Sequence, residues 1–198
     1  MFEAGRDDGG VFRHLSEQAI TGVERDAMVF FLGHHFFSEA PQKQVTPPWT
    51  LAYFQIVHQR LLKSSRPDIA GKLRDPDTDA GEALVQYAND AMTFAQQVKP
   101  TPEEVEEIFI RAAHFYAGVV AAQLFERGNE YWDRTMVDLL IRSCGFEPGT
   151  LFEISSRELD WQVLAVILLH NPRPLAETLI RGFLEKRKLY RDAGREES

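Results

Sequence analysis

The residues with most chemical potential are the twelve from Gln123 to Arg134, Gln-Leu-Phe-Glu-Arg-Gly-Asn-Glu-Tyr-Trp-Asp-Arg. Gly128 and Asn129, the two residue types most tolerant of left-handed backbone, stand between two stretches of helical character. Amides at such a turn and at the start of the next helix point the same way, so together they can hold an anion such as a polyphosphate. The same pattern also serves as a plain connection. Charge decides how hospitable the cradle is: one unit charge facing phosphate at about 4 Å is worth ~4 kcal/mol at an effective dielectric of 20. Glu130 and Asp133 could therefore erase an ordinary nucleotide affinity unless Arg127 and Arg134 offset them.

The elements that must position this turn are punctuated by proline and glycine. A first helix is expected over about 16–37, with a connection over 38–48 that holds Pro41, Pro47 and Pro48. From Thr50 to Lys63 the apolar residues Leu51, Phe54, Val57, Leu61 and Leu62 recur at helical spacing. Residues 64–81 are irregular, through Pro67, Gly71, Pro76 and Gly81, and 82–98 return to helix. Thr101, Pro102 and Glu104 form a capping box that opens a helix reaching about Phe125, its second half apolar nearly all round and hence central. A helix from about Trp132 to Cys144 ends at Gly145. Ser155 and Glu158 open another, which His170, Asn171 and Pro172 stop, and the last runs from Pro174 to about Tyr190. The reading is all-α: one compact domain of about seven helices over residues 1–198.

Composition agrees with that class. The 198 residues are 44% hydrophobic and 26% charged, enough for one core without metal or cross-links. The single cysteine, Cys144, lies in an apolar run and reads as a buried, inert thiol in a reducing compartment. A formal charge of −8 opposes attraction to nucleic acid or anionic lipid. No stretch approaches the ~18 apolar residues of a membrane span, and the start of the chain has no signal-sequence pattern. A cytoplasmic protein is expected where it is made, with export as an effector left open. His34 and His35 are adjacent, which points them in different directions on a helix, so no metal is assigned. Phe30, Phe31, Phe36 and Phe37 read as core or as the seam of a homodimer.

With these elements in place, Gln123 to Arg134 aligns without a gap on the signature of the Fic (Fido) domain, HPFx(D/E)GNGRxxR. Phe125, Gly128, Asn129 and Arg134 agree with it. Leu139 to Phe146 resembles the apolar helix and turn that follow in the family. His58 to Leu62, then Ile69-Ala70-Gly71-Lys72-Leu73-Arg74, resembles its early helix and the segment leading into the flap that holds target peptides. Trp161 to Leu179 looks like the closing helices. The resemblance implies a Fic-like core over about 50–185, a helical extension at 14–40, a tail at 189–198 and a short β-hairpin flap near 69–81.

In that family the histidine takes a proton from a target hydroxyl, the acid holds magnesium on ATP, and the Gly-Asn turn and arginines bind the phosphates. Here Gln123 stands at the base position, and an amide is no general base near neutral pH. Arg127 replaces the metal-holding acid, Glu130 the second glycine and Tyr131 the first arginine. By resemblance Gly128, Asn129, Arg134 and Phe125 are the nucleotide or anion site, with the catalytic residue unknown. Arg134 is either the surviving phosphate arginine or a partner of Glu130 or Asp138. Glu126, Asp133 and His114 are the substitutes for the lost base; Asp133 reads equally as a helix cap and His114 as a core or rim residue. Tyr131 and Trp132 either stack a base or pack the core. The family's inhibitory signature, (S/T)xxxE(G/N), has no match in the chain.

The expectation is a degenerate Fic-like domain, leaning away from enzyme activity, that binds a protein partner at the groove near the motif. No nucleic acid, membrane or resident cofactor is expected, and ATP with magnesium only if the chain is active. The alternatives are a nucleotidyl- or phosphoryl-transferase with non-standard catalytic residues, and an unrelated helical scaffold.

Overall fold

The computed structural model describes residues 49–74, 79–98, 101–146 and 156–196. The helix expected over 16–37, the four phenylalanines and the histidine pair within it, and the Ser155 cap lie outside the described residues. Six helices are described: α1 Leu51–Leu62, α2 Asp79–Gln97, α3 Pro102–Ala122, α4 Asn129–Ser143, α5 Ser156–Leu169 and α6 Arg173–Glu196.

Local signals explain most boundaries. Thr50 caps α1, its Oγ1 accepting from the Tyr53 amide at 3.1 Å, and α1 buries Phe54, Val57, Leu61 and Leu62. The capping box of α3 is formed on both sides: the Glu104 amide donates to Thr101 Oγ1 at 3.3 Å and the Thr101 amide to Glu104 Oε2 at 2.9 Å. The α5–α6 connection turns through His170, whose φ is 51°, and Asn171 Oδ1 then accepts from the Arg173 amide at 3.3 Å. The last helix continues past Tyr190 to Glu196, since no proline intervenes.

Helix α3 is central, packed against α2, α4, α5 and α6. Its neighbour α4 is enclosed too: all eleven residues from Tyr131 to Ile141 are buried, Asp133, Arg134, Thr135 and Asp138 among them. Trp132 lies at the heart of this core, its indole N–H donating to the Phe54 carbonyl at 3.1 Å. Its ring meets Phe54 at 5.3 Å and Phe125 at 4.9 Å, both edge-on. Packing, rather than stacking on a base, is what the Trp132 ring does here.

Helix α4 begins at Asn129 instead of Trp132, and two further differences from expectation shape the site. Helix α3 stops at Ala122 instead of Phe125, because Gln123 takes a left-handed conformation with φ 47° and ψ 50°. The β-hairpin expected near 69–81 is not formed by the described residues. Leu73 makes one antiparallel bridge to Phe125, and Asp79 already begins α2. Gly81 lies within that helix, and a Cβ there would come within 2.7 Å of Leu51 Cδ1.

Candidate functional site

The loop between α3 and α4, residues 123–128, is the place where the distinctive sequence and the fold coincide. Gly128 has φ 78°, left-handed and suited to glycine, and it begins α4 without a side-chain cap. A methyl group at this position would come within 2.5 Å of Leu62 Cδ1 and 3.3 Å of His58 Nε2. The turn is thus seated directly on α1.

Asn129 faces back into the loop. Its Oδ1 accepts from the Phe125 amide at 3.0 Å and its Nδ2 donates to the Phe125 carbonyl at 2.8 Å. A single side chain therefore satisfies both backbone groups of a buried residue, and the amide is consumed in holding the loop. Phe125 is fully buried and stacks on the His58 ring, with centroids 3.8 Å apart and planes within 6°.

His58 is the organising residue that sequence reading missed. Its Nδ1 accepts from the Gly71 amide at 2.9 Å, so Nε2 carries the proton and donates to the Arg127 carbonyl at 2.8 Å. One buried imidazole ties α1, the 69–74 segment and the motif loop together. Burial lowers its pKa to about 4, against a smaller opposing effect of the Arg127 hydrogen bond. The signal lay in its place on the apolar stripe of α1, between Val57 and Leu61.

The 69–74 segment meets the loop a second time through its backbone, the Arg74 amide donating to the Leu124 carbonyl at 2.9 Å. The Arg74 side chain reaches Gln123 Oε1 at 3.4 Å, where Asn129 Nδ2 also approaches at 3.5 Å. Gln123 Nε2 donates to the Val120 carbonyl at 3.0 Å. Its amide therefore works as a polar clip between α3, the loop and Arg74.

Deeper in, α4 carries a buried ionic group. Arg134 Nη2 pairs with Glu130 Oε1 at 3.3 Å, one helical turn away, with both side chains nearly covered. Asp133 is 1% exposed; burial first, then the Glu130 charge, raises its pKa well above the ordinary carboxylate range, with Arg134 opposing. Its Oδ1 has no hydrogen bond among the described residues. Asp160 on α5 is raised for the same reasons, and burial raises Tyr116 as well. Three acids thus share the field of one guanidinium.

The substitute bases fare differently. Asp133 is not a cap, because α4 begins at Asn129 and places it in the second turn, inside the core. Glu126 and Arg127 are exposed on the loop. His114 is half-buried on α3, nine residues before Gln123, about 13 Å away along the axis and on the opposite side of the helix. The fold does not bring it to the loop. Among the described residues no group of three or more His, Cys, Asp and Glu is arranged to hold a metal ion. Cys144 is half-buried and its thiol points to the Ala91 carbonyl at 3.9 Å, with burial raising its pKa to about 12.

No protein-family model matches this chain, and no curated protein does. Among solved structures, Fic-1 from C. elegans superposes with a TM-score of 0.63 at 20% identity, over 96% of this chain and 59% of that one. The fold is Fic-like. An unrelated helical scaffold is thereby set aside at the level of architecture, while this chain spans less than two thirds of the Fic-1 structure it matches. Within the Fic-like fold, the aligned loop lies between two core helices and against residues 71–74. No helix among the described residues is long and apolar enough to cross a membrane.

Proposed function

We propose that this chain is a degenerate Fic-like domain that no longer transfers AMP and serves as a protein-binding or regulatory module. The observation that carries the proposal is the use to which the loop's polar groups are put. Gln123 occupies the base position and its amide clips Val120, Arg74 and Asn129 together. Asn129 is spent on the Phe125 backbone, and Arg134 is paired with Glu130 of its own helix. A carboxylate within the chain thus sits where a phosphate would have to compete for the same cation.

The residues present do not fit magnesium ATP. Magnesium is held by oxygen donors, and the position that the resemblance gives to the metal-holding acid is Arg127, an exposed cation. Asp133 is buried among like charges that favour its protonated form. What remains is a rigid loop, braced from α1 and from the 69–74 segment, that presents Glu126, Arg127 and Arg74 outward. Such a braced surface suits recognition of a partner.

Incubation of the purified chain with labelled ATP, magnesium and a cell lysate tests the reading. No label above a boiled control is expected. Time-dependent labelling that vanishes in Arg134→Ala would show an active transferase and end the proposal.

A further inference from the structure

The surface around the motif loop has a charge opposite to that of the rest of the chain. Between His58 and Arg74 the sequence carries five Lys and Arg (Arg60, Lys63, Arg66, Lys72, Arg74) against one acid, Asp68. With 22 basic and 30 acidic residues in all, the remainder holds 17 against 29. Arg127 joins this group in space, because its carbonyl is bound to His58. Lys63 follows directly on Leu62, the residue beneath Gly128; Lys72 follows Gly71, which is bound to His58; and Arg74 reaches Gln123. The His58 contacts and the Arg74–Leu124 backbone bond hold these positions on one rigid base.

Lys63, Lys72, Arg74 and Arg127 are exposed, and none of them forms an ion pair among the described residues. Asp68 is engaged by Arg66 at 3.2 Å, which, with a weaker effect of Lys72, keeps its carboxyl below the usual value. Glu126 is the one exposed acid on the loop. In the sequence, the run of cations ends at Arg74 and is followed by Asp75, Asp77 and Asp79.

Resting on the reading of this chain as a protein-binding module, we propose that the collar of Lys63, Lys72, Arg74 and Arg127 docks a short acidic segment of a partner protein. Charge complementarity selects an acidic ligand. The acidic excess of the rest of the chain, 29 acids against 17 Lys and Arg, favours a short peptide over a long nucleic acid, which that excess would repel.

Fluorescence anisotropy with a labelled Glu- and Asp-rich 12-residue peptide tests this, alongside its Gln/Asn counterpart and a 12-nucleotide single-stranded DNA. Binding of the acidic peptide alone is expected, weakening as salt rises. In Lys72→Glu/Arg127→Glu the affinity should drop about tenfold or more. Circular dichroism checks that the variant is folded, as expected for changes at exposed side chains. Equal binding of DNA, or equal affinity of the variant, overturns the proposal. Nucleotide transfer by the intact chain would instead remove the module reading while leaving peptide affinity to be read independently.

Discussion

His58 shows how one side chain can set both the stability and the shape of the site. Its tautomer is fixed by its partners: a proton added at Nδ1 would face the Gly71 N–H, which now donates to it. Because burial lowers the folded-state pKa from 6.5 to about 4, the unfolded chain binds the proton first. Its contribution to stability is therefore complete above pH 6.5 and is lost as pH falls towards 4, by about 3 kcal/mol at most. Urea denaturation across this window should show a falling midpoint, and His58→Gln should lower the midpoint at pH 7 while flattening its dependence on acid. A midpoint that declines identically in both proteins would assign the acid sensitivity elsewhere. Asn129 makes a second case: Asn129→Ala strips both Phe125 backbone groups of their buried partner, at a cost of about 2–4 kcal/mol. Thermal unfolding would measure it, and a loss below 0.5 kcal/mol, the size of an ordinary surface change, would mean that water or the chain replaces the amide easily.

At the scale of elements, the parts legible in the sequence were those that depend on neighbours in the chain. The apolar spacing of Leu51 to Leu62 announced α1 and the Thr101–Glu104 box announced α3, and the proline and glycine punctuation located the described helices to within a few residues, the end of α6 excepted. What was not legible depended on contacts between distant segments. Gln123 turns left-handed at the end of α3, where the loop is bound to the 69–74 segment, and nothing in its residue type predicts that. Asp133 reads as a helix cap or a substitute base and Arg134 as a phosphate arginine or an ion-pair partner, and neither reading foresees their burial in an enclosed α4. His58 entered only as the start of the stretch that resembles an early Fic helix, yet its two bonds join segments 13 and 69 residues away. The capping box yields a local prediction: Thr101→Ala should destabilise the protein by about 1 kcal/mol in chemical denaturation, with no change in peptide binding. A loss of binding in that variant would reveal coupling between the start of α3 and the loop at its other end. Cys144 adds a chemical one. Burial and a pKa of about 12 should keep its thiol unreactive to a maleimide in the native protein and fast in urea; rapid native labelling would show that the α2–α4 contact opens.

On the scale of the whole molecule, the Fic-like architecture and the surface charge are separable, and that separation can be measured. The fold brings the loop, α1 and the 69–74 segment together whatever residues fill positions 123 and 127, because the bracing runs through His58, Phe125, Gly128 and Asn129. Replacing Gln123→His and Arg127→Asp would supply a base and an oxygen donor, and Glu130→Gly would release Arg134 from its partner in α4. If the backbone still has the geometry of the family it resembles, the triple variant should label with ATP above the background of the parent chain. Restoring a general base typically returns ~10² to 10⁴ in rate. The same change places a negative charge in the collar, so affinity for the acidic peptide should fall in the protein that gains transfer. Glycine in the first turn of α4 costs about 1 kcal/mol, within reach of a folded domain, and a melting curve separates that loss from a failure of chemistry. A folded triple variant that neither labels nor loses peptide affinity would contradict both halves of the picture: the turn would not be an anion cradle, and Arg127 would not belong to the docking surface.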